Sequence, residues 1–371
     1  MNQLHSKGVV ILDFGSQYTQ LIARKVRELN VYSEVLSPDT SLDKIKQCDP
    51  SAIILSGGPS SVFEDGAPIF DKNIFNIDIP ILGICYGLQL LAHHHGGLVE
   101  SNGKGEYGFV EINIDDDRKL FQNVSKCSQV WMSHMDRVIK IPDGWHVLAH
   151  SSNGVIAAMS NEDQSIVATQ FHPEVSHTEE GKLFLNNFLF KIANCSPNWT
   201  AENFIEEQLE IIRNQVKDDK VIVGVSGGVD STVVAALLHK AIGDQSTAIL
   251  IDHGMLRLNE ATNCVKALKD GLGVNIHCYD ESEIFLKKLE GVTDPEKKRK
   301  IIGNQFIYSF DKIANELGDI KYLSQGTLYP DIIESGVSKG KSAHVIKSHH
   351  NVGGLPDDMN FQLIEPLREL F

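Results

Sequence analysis

Short apolar runs alternate with segments of helical period along the first half of the chain. The runs at 9–13, 52–56, 79–85 and 166–171 are rich in Ile, Val and Leu and are closely followed by Gly or Pro, the pattern of strands buried on both faces of a parallel sheet. Between the first two, residues 17–29 place Leu21, Ile22, Val26 and Leu29 on one face of an amphipathic helix. The periodicity stops at 195–203, where Pro, Ser, Thr and Asn accumulate as in a linker. Thr200 then caps a helix expected over 201–216, and strands are expected at 221–225, 248–252, 274–279 and 321–324. The pattern predicts two doubly wound α/β domains, 1–195 and 196–371.

Length agrees, since 371 residues at roughly 100–200 per domain are too many for one small module. A formal charge of −15, shared by both halves, lacks the basic footprint of a nucleic-acid binder. The six cysteines include no C-x-x-C pair, so neither a zinc site nor a disulfide framework is expected, and a reducing cytoplasm fits best. The N-terminus has no apolar signal segment, and the longest uncharged stretch, 79–97, is broken by Pro80, Gly83, Gly87 and three histidines, so no membrane span is expected. The run His93-His94-His95 falls at a helix end, where it reads as a C-terminal cap before a metal site.

Gly83-Ile84-Cys85-Tyr86-Gly87 joins an apolar strand to a helical segment, the G-x-nucleophile-x-G turn whose small residues permit a sharp reversal. At a helix N-terminus the thiolate of Cys85 would be favoured; taken alone, Cys85 reads rather as a buried, inert thiol, and the features that follow reverse that reading. Downstream, Gln170-Phe171-His172-Pro173-Glu174 closes a strand, and residues two apart point the same way, so Glu174 can support the ring of His172. A carboxylate-held imidazole activates a thiol and later protonates a leaving amine, although His172 alone could be structural. Leu55-Ser56-Gly57-Gly58-Pro59 offers bare backbone N–H groups as an oxyanion hole requires, or an ordinary turn.

Together these residues resemble a class I glutamine amidotransferase domain over roughly 7–195. The resemblance implies Cys85 as nucleophile, His172 as base and Glu174 as orienting carboxylate of a triad that hydrolyses glutamine to glutamate and ammonia. It also implies an oxyanion and glutamine site formed by Gly57, Gly58, Tyr86, Gln89, Ser133, His134 and Asp136.

In the second half, a strand ending at Val225 runs into Ser226-Gly227-Gly228-Val229-Asp230-Ser231, and a helical segment from Thr232 follows. Strand, Gly-rich loop and helix together aim free N–H groups and a positive dipole end at phosphate. The Walker loop's Lys is missing, which argues against ordinary γ-phosphate transfer. Asp230 in an anion site makes sense beside a cation, from which Mg²⁺ is inferred.

The loop resembles the signature of the ATP pyrophosphatases, adenine-nucleotide α-hydrolase-like enzymes that cleave ATP between the α and β phosphates. The resemblance implies ATP contacts at Ser226, Gly227, Gly228, Val229, Asp230, Ser231, Thr232 and Asp252, with Asp230 on the metal. Where the family commonly has Asn after the strand-ending Asp, this chain has His253, so only Asp252 is carried over there.

Both motif sets in this order, with Asp13-Phe14-Gly15-Ser16-Gln17-Tyr18 at the start, resemble the glutamine-hydrolysing GMP synthases along the whole chain. That family activates XMP as an adenylate with ATP and displaces AMP with ammonia. It implies XMP or pyrophosphate contacts at Arg299, Lys300, Gln325, Gly326, Asp331, Lys347, His349 and His350. The basic run 297–300 by itself reads as a solvated helix face; the resemblance suggests a mobile segment closing over pyrophosphate. The family also implies a C-terminal dimerisation domain beyond Phe371, so the sequence reads as two domains of a three-domain homodimeric protein. Another glutamine-dependent adenylating ligase, such as an NAD synthetase, shares both chemistries.

Overall fold

A computed structural model describes residues 7–101, 105–318, 320–336 and 361–371. The chain divides into two compact units, Met1–Asn203 and Phe204–Phe371.

The first unit carries strands β1 (Val9–Leu12), β2 (Ser33–Leu36), β3 (Ala52–Leu55), β4 (Ile81–Ile84), β5 (Leu98–Glu100), β6 (Glu106–Ile114), β7 (Cys127–His134), β8 (Arg137–Lys140), β9 (His146–Ser151), β10 (Ile156–Ser160) and β11 (Ile166–Thr169). Nine of them form one sheet in the order β2-β1-β3-β4-β11-β10-β9-β6-β7; β5 and β8 form a separate ribbon. From β2 to β11 neighbours are parallel, and from β11 onward they are antiparallel. Period-2 alternation sorts the apolar side chains onto two faces. Val9, Ile11, Ile54 and Ile84 pack with Ile22 and Val26 of the helix Thr19–Glu28 and with Phe184, whereas Val10, Leu12, Ile53 and Leu55 pack with Leu88 and Leu91 of the helix Tyr86–His94. Helices on both faces and a parallel centre are the expected doubly wound arrangement. The antiparallel extension β10-β9-β6-β7 was not foreseen from the pattern.

In the second unit β12 (Lys220–Gly224), β13 (Ser246–Asp252), β14 (Ile276–Asp280), β15 (Ile320–Ser324) and β16 (Gln362–Ile364) form a sheet in the order β14-β13-β12-β15-β16, parallel throughout. Ile222, Ile249, Ile251 and Leu323 bury one face against Phe285, Phe310 and Ile313. The helix Ala201–Val216 has the bounds read from the sequence, with Thr200 Oγ1 accepting from Asn203 N at 3.3 Å as a cap does.

Both candidate sites lie at the carboxyl ends of parallel strands, where open α/β sheets place their ligands.

Candidate active sites

In the first unit, parallel pairing sets Leu55 beside Gly83 and Ile84 beside Thr169, so the segments leaving β3, β4 and β11 emerge together. Cys85 lies where β4 turns into the helix Tyr86–His94, with φ 53° and ψ −100°, a strained backbone for an L-residue, and its N–H donates to Thr169 O at 2.7 Å. The flanking glycines permit that elbow. A Cβ on Gly83 would lie 2.7 Å from the Gly87 carbonyl, and one on Gly87 would lie 2.5 Å from Leu55 O. Cys85 is 5% exposed.

His172 and Glu174 are buried at 3% and 0% exposure, with Nδ1 and Oε1 2.7 Å apart. Burial by itself pushes the imidazole's pKa down. The Glu174 charge and hydrogen bonds to Cys85 and Glu174 outweigh it and hold the ring well above the usual histidine value. Since Nδ1 belongs to Glu174, Nε2 is the nitrogen left for the thiol. A Cβ on Gly57 would meet His172 Cε1 at 3.2 Å and Cys85 Cβ at 3.6 Å, so this glycine lies against both.

Ser56, fully buried, fixes the neighbouring peptide: its hydroxyl accepts from Phe14 N at 2.9 Å and donates to Gly57 O at 2.8 Å. In a trans peptide that anchorage turns the Gly58 N–H the opposite way. The N–H of Tyr86, in the first helical turn, has no carbonyl four residues back within its helix. Its ring is 2% exposed and packs 5.4 Å from Phe14, so Tyr86 offers the site only its main chain.

The Gln89 amide and His134 Nδ1 both reach Asp136 O, at 2.8 and 2.9 Å. His134 Nε2 faces Glu106 Oε2 at 3.3 Å, and Ser61 Oγ donates to Asp136 Oδ2 at 2.5 Å. Burial pushes the Glu106 carboxyl up, but hydrogen bonds from His134, Asn153 and Ser151 win and hold it below the usual range. Gln89 and His134 are both buried, so here they organise the 133–136 turn. From that turn it is the carbonyl of Ser133 that faces Cys85 Sγ, at 3.6 Å.

Sequence reasoning passed over Ser56, Glu106, Gln170 and Thr178. Gln170 Nε2 lies 3.7 Å from Cys85 Sγ, and its place two residues before His172 is the one sequence signal that marks it. Thr178 donates to His172 O at 2.6 Å and accepts from Trp131 N at 3.1 Å, fastening the histidine loop to β7; no short motif marks it.

In the second unit Gly227 has φ +79° and Gly228 caps the helix Val229–Ile242. Ser226 N donates to Ser231 Oγ at 3.2 Å, and Thr232 Oγ1 to Gly228 O at 2.8 Å, which holds the loop open around its N–H groups. The end of β15 meets this loop: a Cβ on Gly326 would lie 3.5 Å from Asp230 Cβ and 3.7 Å from Ser231 N. A cavity of about 390 Å³ adjoins it, lined by Gly227, Thr232, Arg257, Glu260 and Asn263 among others.

Other expected residues have local roles. Asp252 Oδ1 accepts from Gly254 N at 2.9 Å, and Asp331 Oδ2 accepts from Leu328 N at 2.9 Å, while the neighbouring Gln325 N donates to Ile364 O at 3.0 Å. The basic run with Arg299 and Lys300 lies in the first turns of the helix Pro295–Leu317, exposed, with Arg299 paired to Glu296 at 3.2 Å. The run therefore forms an exposed helix face. Lys347, His349 and His350 lie outside the described residues.

Fold and sites thus define a class I glutaminase unit followed by a pyrophosphatase-type unit. Family models agree: glutamine amidotransferase class-I matches residues 10–192, and NAD synthase matches residues 200–305. Relatives named GMP synthase [glutamine-hydrolyzing] then distinguish the adenylating ligases. The one from Lactobacillus acidophilus is 53% identical over 364 residues, 98% of this chain and 70% of its own length. The one from Bacillus velezensis is 51% identical over 371 residues, 100% of this chain and 72% of its own length. The chain belongs to the glutamine-hydrolysing GMP synthase family, ATP-dependent ligases that take their nitrogen from glutamine.

Proposed function

We propose that Cys85, His172 and Glu174 hydrolyse glutamine and that the ammonia released converts adenylated XMP to GMP at the second unit. The observation that carries the first half is the His172–Glu174 contact behind a strained Cys85 elbow. Cys85 Sγ attacks the side-chain amide carbon of glutamine while its proton passes to His172 Nε2. Glu174 holds the resulting imidazolium. The Gly58 and Tyr86 N–H groups receive the oxyanion, each donor contributing about 3 kcal/mol in the transition state. His172 protonates the departing nitrogen, ammonia leaves, and water brought in by the same base releases glutamate from the thioester.

In the second unit the 226–232 loop cradles the phosphates of substrate ATP. An XMP oxygen attacks the α-phosphorus, pyrophosphate leaves, and ammonia displaces AMP to give GMP. The donor set suits Mg²⁺, because that ion keeps most of its waters and needs only one or two carboxylates plus phosphate oxygens. Asp230 is exposed in the first turn of its helix among the hydroxyls of Ser226, Ser231 and Thr232, and it would hold the ion. Bound there, Mg²⁺ would neutralise phosphate charge.

Six free thiols support a cytoplasmic setting, and among the described residues no helix is long and apolar enough to cross a membrane. The family resemblance implies a homodimer, which sedimentation of the full chain would test. The reading as a whole predicts that Cys85→Ala abolishes GMP formation from glutamine but spares formation from added ammonium. Loss of both activities in a folded protein would overturn the division of labour.

A further inference from the structure

Gln170 is fully buried at the end of β11, between Thr169, whose carbonyl anchors Cys85 N, and the His172 loop. Its main-chain N–H donates to Ala157 O at 2.8 Å. Its carboxamide is only half used. Nε2 reaches Cys85 Sγ at 3.7 Å, and among the described residues Oε1 has no hydrogen-bond partner. A buried amide with an unpartnered oxygen is destabilising, and an apolar side chain of the same shape would avoid that penalty. Such a group at a reactive sulphur needs a functional reason.

The sulphur's surroundings supply one. On one side stands an acceptor, the Ser133 carbonyl at 3.6 Å, which favours the neutral S–H. On the others stand donors, the Gln170 amide and the His172 imidazole, which favour the thiolate. The His172 proton leaves the sulphur as the reaction proceeds, because the ring must hand it to the departing amine; the carboxamide proton cannot transfer and stays in place throughout.

We propose that the Gln170 carboxamide is a permanent hydrogen-bond donor to the Cys85 sulphur, stabilising the thiolate before attack and when the thioester breaks down. This rests on the reading of Cys85 as the nucleophile. Hydrogen bonds to charged groups are the strong ones, and loss of this one slows thiolate reactions by about tenfold.

The test is alkylation of Cys85 by iodoacetamide in the full chain, followed by mass spectrometry across a pH series, for wild type, Gln170→Met and Gln170→Glu. Met keeps shape and volume without a donor; Glu keeps shape and replaces the donor by an acceptor. The expected result is labelling slowed by about tenfold in Gln170→Met at neutral pH and more in Gln170→Glu, with the Met gap closing in strong alkali where every variant is thiolate. A thermal unfolding midpoint for Gln170→Met equal to or above wild type is expected as well, since the orphaned oxygen is gone. Equal labelling of wild type and Gln170→Met at every pH would overturn the inference and leave the nucleophile reading standing. Absence of Cys85 labelling in wild type under all conditions would instead sink the nucleophile reading itself.

Discussion

His172 Nδ1 and Glu174 Oε1 meet at 2.7 Å with both side chains buried, and the second carboxylate oxygen, Oε2, has no hydrogen-bond partner among the described residues. The carboxylate is therefore committed to one task, holding the ring and stabilising its protonated form. Glu174→Gln should lower kcat for glutamine hydrolysis by about 10²–10⁴, with ammonium-dependent synthesis unchanged. Because the folded-state pKa of His172 is raised above 6.5, the stability it contributes is complete below that pH and disappears as pH rises through the folded value. The gap in unfolding free energy between wild type and Glu174→Gln should be widest in mild acid and shrink toward alkaline pH. A gap independent of pH would refute the ion-pair reading.

Gly57 and Gly58 are adjacent yet should fail differently when replaced by Ala. A methyl on Gly57 enters the space beside His172 Cε1 and Cys85 Cβ at 3.2 and 3.6 Å, so glutaminase activity should drop with little change in melting temperature. A methyl on Gly58 would lie 2.6 Å from Phe14 O, where real Cβ contacts do not occur, and should destabilise the unit by about 1–3 kcal/mol. Paired thermal melts and glutaminase assays distinguish them.

Ser56→Ala removes the hydroxyl that fixes the Gly57 carbonyl and accepts from Phe14 N. With the peptide free to turn over, the Gly58 N–H leaves the oxyanion position part of the time. The expected loss is about 10-fold to 10²-fold in kcat with KM for glutamine nearly constant. A change confined to KM would place the Ser56 contact in binding instead.

Asp230→Asn and Gly227→Ala address the second unit. Gly227 has φ +79°, which a side chain strains, and Asp230 is the candidate metal carboxylate. Both variants should lose XMP-dependent pyrophosphate release from ATP while intrinsic glutamine hydrolysis by Cys85 persists. Asp230→Asn should also raise the Mg²⁺ concentration needed for half-maximal release.

His94 and His95 stack with Phe75 and with each other, and His95 also with Trp145, and burial holds both imidazoles below the usual histidine value. Folding thus favours their neutral forms. Stability should fall as pH drops below 6.5, and His95→Leu should flatten that acid limb in thermal melts.

Much of this protein was legible in the linear pattern. The β1, β3, β4 and β11 runs are buried on both faces, so their continuous apolar character alone identified a parallel sheet. The motifs that need special backbone, the Cys85 elbow between Gly83 and Gly87 and the Gly227-Gly228 loop, are local, because small residues are the sole solution to a local steric problem. His172 and Glu174 were found together because they lie two apart in sequence, although β11 ends at Thr169 and the pair meets in the turn that follows rather than on the strand that the pattern predicted. The antiparallel extension was not legible: β6 and β7 alternate buried and exposed positions and so lack the continuous apolar run that marks the central strands, and β6 pairs with β9 across a long sequence separation. Only tertiary structure decided which distant groups meet the sulphur: the Ser133 carbonyl from the end of β7, the Gln170 amide beyond β11 and Gly57 beyond β3. The reason is physical: a nucleophile's reactivity depends on the field of groups within a few ångströms of it, and chain order does not determine who those neighbours are until the sheet has set its register.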